Sequence, residues 1–337
     1  MATPKNHDIR LNKRPVGLPG PADFELAETP VPVPGSGQVL VRNLFMSVDP
    51  YMRGRMSERS SYVAPFQVGE TLSGGAVGKV VDGNSRFTPG DYVVSQNGWR
   101  EWFVSDGSDL RKVDPAVAPV QAYLGALGMP GLTAYAGLKR VGQLTPEDRV
   151  FVSAAAGAVG SVACQIARAM GCEVVVGSVG TDAKRQWLES LGIEAFNYRD
   201  TDDLAGTIAE HMPGGIDLDF ENVGGAHLEA ALDNMREQGR IVLCGLIDQY
   251  NDAEPPPGPR NLDLLLKRRL AMRGFIVIDH FDLFENFLQD MSRWIAEGKV
   301  QRRETIVNGI ENAPAALIGL FRGDNIGKML VKLADDD

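Results

Sequence analysis

The stretch Arg149-Val-Phe-Val-Ser153-Ala-Ala-Ala-Gly157-Ala-Val-Gly160-Ser-Val-Ala-Cys164-Gln-Ile-Ala-Arg-Ala-Met170-Gly171 decides the fold. Arg149 to Ser153 is a short, β-branched, apolar run and reads as a strand. Val159, Val162, Ala163, Ile166 and Ala167 recur at helical spacing, so a helix is predicted over Gly157 to Met170, closed by Gly171. Between the two, Ala154-x-x-Gly157-x-x-Gly160 approximates the dinucleotide fingerprint, with alanine in place of the first glycine. Small residues let the backbone approach a pyrophosphate, and a helix N-terminus stabilises its charge. A tight strand-to-helix turn has the same composition without any ligand. The position inside a βαβ unit favours the cofactor reading.

Working outward, further strands are predicted at Glu173–Val176, Ile216–Phe220, Arg240–Cys244 and Met272–Val277. Apolar runs alternating with helical periods indicate βαβ units and a parallel sheet, so the fold class is α/β. The Pro-rich run Glu254 to Pro259 must be a loop. The first ~120 residues differ: short runs such as Gln38–Arg42, Ala76–Val81 and Asp91–Val94 lie between turn signals and suggest a β-rich domain. After residue 300 the pattern is β-like again, with Glu304–Val307 and Lys328–Lys332 flanking a helix at Ala313–Phe321. The expected division is residues 1–122 with 301–337 as one discontinuous domain and 123–300 as an inserted dinucleotide-binding domain.

The 337 residues carry a formal charge of −10, from 34 basic and 44 acidic side chains. An acidic surface repels phosphate backbones and anionic headgroups, so neither nucleic acid nor membrane is an expected partner. No apolar run approaches the ~20 residues of a bilayer span, and Met1 to Arg14 lacks a signal-peptide core. Asp335 to Asp337 reads as a solvated tail. Three cysteines, Cys164, Cys172 and Cys244, form no disulfide framework, and a reduced cytoplasmic protein is expected.

NAD-binding turns carry an acidic residue ~20 positions beyond the fingerprint. Here the second strand ends Val176-Gly177-Ser178-Val179-Gly180, without a carboxylate, and Lys184 and Arg185 follow. A cation accepts a 2′-phosphate where a carboxylate would repel it, so the expected cofactor is NADPH. The alternative for both cations, Arg185 above all, is a solvated helix face.

Several blocks in order carry a wider likeness: Met46-Ser-Val-Asp-Pro-Tyr-Met-Arg-Gly-Arg-Met56, Gly128-Met-Pro-Gly-Leu-Thr-Ala-Tyr135, Ala154 to Gly160, Glu221-Asn-Val-Gly-Gly225, Cys244-Gly-Leu-Ile-Asp-Gln-Tyr-Asn251 and Gly323-Asp-Asn-Ile-Gly-Lys328. With these the chain resembles the zinc-independent medium-chain dehydrogenase/reductase superfamily. Within it the likeness is to the prostaglandin reductase and leukotriene hydroxydehydrogenase family, which includes bacterial NADPH-dependent curcumin reductases. The resemblance implies a GroES-like β domain with an inserted Rossmann doubly wound parallel-sheet domain, and a homodimer. It also implies reduction of the conjugated double bond of an enone or enal. For the cofactor it implies Gly157, Ala158, Val159 and Gly160 at the pyrophosphate, Lys184 and Tyr198 at the 2′-phosphate, Asn222 at the ribose, and Asn325 near the diphosphate. Tyr198 could equally cap the adenosine-side surface, and Asn222 and Asn325 are good turn formers.

Zinc enzymes of this superfamily use clustered Cys and His ligands. No Cys precedes residue 164 here, and His7, His211, His227 and His280 are scattered. Asp49 and Glu70, which fall where such ligands lie, are a poor zinc set. No metal is expected. Charge developing on a substrate carbonyl must then meet hydroxyl or amide donors, and tyrosine both donates a hydrogen bond and transfers a proton. Tyr250, just beyond the strand ending at Cys244, is the first catalytic candidate and also a cofactor neighbour. Tyr62, in the segment from Ser60 to Pro65, is the second, as proton donor by family likeness. Tyr51 reads as packing, with Asp49 and Arg53 shaping its turn. Phe275 and Val277 either back the nicotinamide or are core. A quinone reductase of the same superfamily and a non-catalytic NADPH-binding protein are the alternatives.

Overall fold

Val150, Phe151 and Val152 are all fully buried. A strand with no solvent face is what a parallel sheet covered on both sides requires. The computed structural model describes residues 5–59 and 61–336. Among the described residues the strands are β1 (Lys5–Leu11), β2 (Phe24–Pro30), β3 (Val39–Ser47), β4 (Ala76–Asp82), β5 (Tyr92–Ser95), β6 (Trp102–Ser105), β7 (Arg111–Val113), β8 (Val150–Val152), β9 (Val175–Val179), β10 (Glu194–Asn197), β11 (Ile216–Glu221), β12 (Met235–Leu243), β13 (Ala271–Gly274), β14 (Glu304–Asn308) and β15 (Lys328–Lys332). The helices are α1 (Met52–Arg55), α2 (Met129–Ala136), α3 (Gly160–Ala169), α4 (Asp182–Ser190), α5 (Leu204–His211), α6 (Gly225–Asn234), α7 (Asp263–Lys267), α8 (Phe284–Ala296) and α9 (Ala313–Arg322). The chain divides into residues 1–124 with 304–337, and residues 125–303.

In residues 125–303 the sheet order is β10-β9-β8-β11-β12-β13, with every pairing parallel. This is the Rossmann order, and the strand sequence reverses direction between β8 and β11, where open α/β sheets bind ligands beyond their carboxyl ends. Ile208 and Met212 of the α5 region and Leu228, Ala231 and Leu232 of α6 pack on Phe151, Val176 and Phe196. Local chemistry starts the helices: Thr181 Oγ1 accepts the Lys184 N–H at the head of α4, and Asp203 accepts the Gly206 N–H (2.9 Å) at the head of α5.

The helix expected from Gly157 begins at Gly160 instead. Ala154 takes φ +48°, and the Gly157 N–H closes a turn on the Ala154 carbonyl at 2.9 Å, so the chain spends three residues turning before it can coil. Gly171, at φ +106°, ends the turn after α3 as expected. The expected strand at 272–277 stops at Gly274, beyond which the chain enters 3-10 turns.

In the other unit, the sheet runs β14-β15-β3-β4-β5-β7, with β6 also paired to β3; β1 and β2 form a separate antiparallel pair. The C-terminal return is made by β15, antiparallel to β3, and β14, parallel to β15. The almost fully buried Lys328 ammonium donates to the Val48 carbonyl at 2.9 Å and to Asp49 at 2.8 Å. The tail is not merely solvated: Asp335 pairs with Lys332, and Asp336 accepts from Lys79 and Tyr92 at 2.9 and 2.6 Å. Asp337 lies outside the described residues. No helix among the described residues is long and apolar enough to cross a membrane.

A Cβ on Gly160 would lie 2.5 Å from the Ala154 carbonyl oxygen and 2.9 Å from the Ala155 Cα. Both are backbone atoms, so nothing flexible can yield. Gly160→Ala is expected to lower stability by about 1–3 kcal/mol, the usual cost of overpacking. Urea unfolding would show it as a lower midpoint at unchanged m-value; an unchanged midpoint would mean that α3 can slide off the turn at no cost.

Candidate functional site

Four strand ends build the site, beginning at the turn after β8. Gly157, Ala158 and Val159 are half-exposed between the buried Ala156 and Gly160, and their backbone leads directly into α3. Gly157 has only the Ala154 carbonyl oxygen near where a Cβ would sit (3.2 Å), so the outer side of the turn is open to a ligand.

Beyond β9, Gly180 stands against the Tyr198 ring: a Cβ there would lie 3.3 Å from both Tyr198 Cε1 and Oη. Lys184 is half-buried in the first turn of α4. Arg185 is held by Asp182 (3.2 Å) and Glu189 (2.7 Å) along α4, in keeping with the helix-face reading. Asp182, the acidic residue closest to this strand end, is thereby engaged. Tyr198 meets His227 edge to face, with ring centroids 4.7 Å apart. Burial pushes the His227 imidazole down to about 4, so it is neutral near pH 7. Ser178, fully buried at the end of β9, has a hydroxyl with no hydrogen-bond partner among the described residues.

Beyond β11, Asn222 does not offer its amide outward. Its Nδ2 donates to the Ser153 carbonyl at 2.7 Å, and its backbone N–H donates to Ser153 Oγ at 2.7 Å. Sequence reading passed over the residue before it. Glu221 is fully buried, and its Oε1 accepts from Ser153 Oγ (2.8 Å), the Val223 N–H (2.5 Å) and the Gly224 N–H (2.7 Å). The signal was present: Asp219 and Glu221 share a strand with Ile216, Leu218 and Phe220 just before a Gly-Gly pair.

The loop after β12 rests on that turn. Cys244 and Gly245 donate N–H groups to the Glu221 carbonyl, Ile247 to Asn222 and Asp248 to Val223, at 2.9–3.2 Å. Tyr250 folds back so that its Oη accepts the Leu246 N–H at 3.2 Å. Its own O–H is left to donate. Burial raises the phenol pKa, so the donor stays protonated across the neutral range. Phe275 comes 2.9 Å from where a Gly137 Cβ would be, and both Phe275 and Val277 are half-buried.

The remaining candidates lie in the other unit. Tyr62 is 56% exposed in a segment without regular structure, and Ser60 beside it lies outside the described residues. Arg55 laces this segment down. Its Nε donates to the Ala64 carbonyl at 2.9 Å and its guanidinium sits 4.0 Å over Phe66. Tyr51 is half-buried beside Arg55, and burial raises its pKa. Asp49 and Arg53 close the turn around Tyr51 through their backbones, the Arg53 N–H on the Pro50 carbonyl and the Met52 N–H on the Asp49 carbonyl, each at 3.1 Å, while the Arg53 guanidinium reaches away to the Gly17 carbonyl at 2.9 and 3.1 Å. Asn325 is buried and spends its Nδ2 on the Gly327 carbonyl at 2.7 Å.

The donors do not make a zinc site. Among the described residues no three His, Cys, Asp or Glu side chains come together. Asp49 is taken by Lys328 and Ser47, and Glu70 is exposed. All three cysteines are free thiols, and burial pushes Cys164 and Cys244 up to about 12 and Cys172 to about 11, away from the thiolate a metal needs.

A family model described as the N-terminal domain of oxidoreductase matches residues 7–113, and one described as zinc-binding dehydrogenase matches residues 158–297. The NADPH-dependent curcumin reductase of Escherichia coli is 41% identical over 339 residues, spanning 99% of this chain and 98% of its own. The NADP(+)-dependent 2-alkenal reductase of Nicotiana tabacum is 42% identical over 337 residues, with 98% of each chain covered. The crystal structure of CurA from Vibrio vulnificus in complex with NADPH superposes with a TM-score of 0.92 at 40% identity, covering 98% of this chain and 99% of that one.

Asp219, two residues before Glu221, is fully buried, and neither of its oxygens has a hydrogen-bond partner among the described residues. Burial first, then the Glu221 charge, raises its pKa well above the ordinary range. The folded chain thus keeps a proton that the unfolded chain releases near pH ~3.9, and this group's contribution to stability falls as pH rises from there toward the folded-state value. In Asp219→Asn that loss is absent. The melting temperature of Asp219→Asn minus that of the parent should therefore be larger at about pH 8 than at about pH 5. An equal difference at both would mean that Asp219 ionises normally in the fold.

Proposed function

The chain belongs to the medium-chain dehydrogenase/reductase superfamily, and on that premise we propose that it reduces the carbon–carbon double bond of α,β-unsaturated ketones or aldehydes with NADPH and without a metal. The observation that carries the reading is the Tyr250 phenol. It lies beyond the carboxyl end of β12, oriented by the Leu246 N–H and kept protonated by burial.

The residues fit the cofactor. The open backbone turn at Gly157, Ala158, Val159 and Gly160 suits a pyrophosphate at the head of α3. Lys184 and Tyr198 suit a 2′-phosphate beyond β9, where Asp182 is engaged by Arg185. Asn222 supports the ribose side by fixing the turn between β8 and β11. Asn325 is proposed near the diphosphate through whatever capacity its Gly327 bond leaves. The chemistry supplied by NADPH when bound is a hydride for the β-carbon of the conjugated alkene. Tyr250 donates its O–H toward the substrate carbonyl oxygen, where negative charge develops, and being neutral it stabilises that charge without a buried counter-ion. Tyr62 delivers the proton to the α-carbon; its exposure leaves the phenol in touch with solvent for reprotonation.

We also read the protein as a cytoplasmic homodimer. Strand β13 is a sheet edge, and Leu262, Leu266, Ile278 and Phe281 nearby are exposed apolar side chains. An unpaired edge beside an apolar patch is a ready template for a second copy. Light scattering should give twice the 36.4 kDa chain mass, and Phe281→Glu should shift it toward the monomer.

The experiment that tests the reaction is NADPH oxidation against an aromatic enone, a medium-chain enal and a simple quinone, with products identified by mass spectrometry. The expected product is the saturated ketone or aldehyde. Tyr250→Phe should lower kcat by roughly 10²–10⁴-fold, and Tyr62→Phe should lower it less, since solvent can replace a proton. Lys184→Ala should weaken NADPH by roughly 10-fold or more and leave NADH unchanged, the effect of losing a charge-assisted contact. Turnover of the quinone alone would make the protein a quinone reductase instead. Tight NADPH binding with no acceptor reduced would make it a non-catalytic binder.

A further inference from the structure

Glu221 and Ser153 are buried polar residues that the reaction itself does not use, yet the glycine turn after β8, the Asn222–Gly224 turn and the Tyr250 loop all adjoin or bond to them. Ser153 is the last residue before the Ala154–Gly160 turn. Its hydroxyl donates to Glu221 Oε1 at 2.8 Å and accepts the Asn222 N–H at 2.7 Å, and its carbonyl accepts from Asn222 Nδ2 at 2.7 Å. Glu221 Oε1 gathers the Val223 and Gly224 N–H groups as well, at 2.5 and 2.7 Å. That fixes a turn in which Gly224 and Gly225 take φ +82° and +51°.

The Tyr250 loop is moulded on this turn. The Ile247 N–H bonds the Asn222 carbonyl at 3.2 Å and the Asp248 N–H bonds the Val223 carbonyl at 3.0 Å. Leu246, whose N–H orients the Tyr250 phenol, lies 2.9 Å from where a Gly224 Cβ would be, so a shift of Gly224 reaches it directly. Burial raises the Glu221 pKa, and the three donors on Oε1 offset part of that rise, while Oε2 is buried with no hydrogen-bond partner among the described residues; Asp219, which receives no donor, is raised well above the ordinary range.

We infer that Glu221, acting through Ser153 and the Val223–Gly224 turn, is the positioning residue that holds the Tyr250 phenol in register with the glycine turn. The inference rests on the reading of Tyr250 as the carbonyl donor. It assigns Glu221 no contact with substrate or cofactor. Displacing a catalytic group by about 1 Å from a remote site can cost ~10²-fold in rate, which sets the scale expected.

The test is a double-mutant cycle in kcat on the full-length protein with NADPH and an enone, using Glu221→Ala, Tyr250→Phe and the double variant. Glu221→Ala alone should lower kcat by roughly 10–10²-fold, and in the Tyr250→Phe background it should cost less than about threefold. Glu221→Gln, which keeps one acceptor oxygen for the three donors, should recover most of the loss. Hydrogen exchange on the protein without NADPH supplies a second readout: in Glu221→Ala the amides of Val223, Gly224, Ile247 and Asp248 should exchange faster, while those of β1 and β2 do not change. Should Glu221→Ala fail to fold, Ser153→Ala takes its place in the cycle, with the same sign and a smaller effect. Equal kcat penalties in both backgrounds, or unchanged exchange at Ile247 and Asp248, would overturn the inference. An unchanged kcat in Tyr250→Phe would instead overturn the reading of Tyr250 itself, whatever Glu221 does.

Discussion

A parallel sheet must satisfy its backbone where its strands stop, because no hairpin partner continues the ladder there. In residues 125–303 the ends of β8, β11 and β12 meet this demand with one another. The Ser153 N–H bonds the Phe220 carbonyl at 3.2 Å, and the Cys244 and Gly245 N–H groups bond the Glu221 carbonyl at 2.9 and 3.1 Å. Groups left over go to side chains, above all Glu221 Oε1 and Ser153 Oγ. The site is therefore built from what the sheet must do to end.

The same constraint explains the glycines. Gly160 has no room for a Cβ against the Ala154 carbonyl, just where a pyrophosphate is proposed to lie, and Gly224 takes φ +82°, where a side chain would be strained. Ala154 at φ +48° shows the cost accepted at the one position where the fingerprint has alanine instead of glycine. A non-glycine residue in this region costs of order 1 kcal/mol or more and persists only where its surroundings hold it.

Much of this architecture was legible in the chain. Val150 to Val152 and the period of Val162, Ala163, Ile166 and Ala167 announce strand and helix because burial demands apolar side chains at those spacings. The helix start was misread by three residues, since a turn opened by Ala154 looks like helix in composition. Strands β1 and β2 went unseen: their burial alternates irregularly, and His7, Asp8 and Arg10 break the apolar pattern. For the candidate site, local chemistry in the sequence suffices to nominate Gly157, Gly160 and Tyr250, which the fold sets at strand ends. The site was illegible where partners are distant. Glu221 meets Ser153 across 68 positions and Asp49 meets Lys328 across 279, and no local pattern records such pairs. Asn222 and Asn325 were expected to face a ligand, whereas the structure commits their Nδ2 groups to backbone carbonyls.

The pairing of β15 with β3 also sets a timetable. Strand β3 leaves the ribosome long before its partner β15. At ~5–20 residues per second, the 279 positions between Asp49 and Lys328 correspond to roughly 15–60 s of synthesis. Throughout that interval the β3 edge and the future seat of the Lys328 ammonium lack their partner, and residues 125–303 are completed before it ends. Late in synthesis the nascent chain thus carries a complete inserted unit while the unit interrupted by it still lacks its last strands, and the β3 edge meanwhile stands open to pairing with another chain.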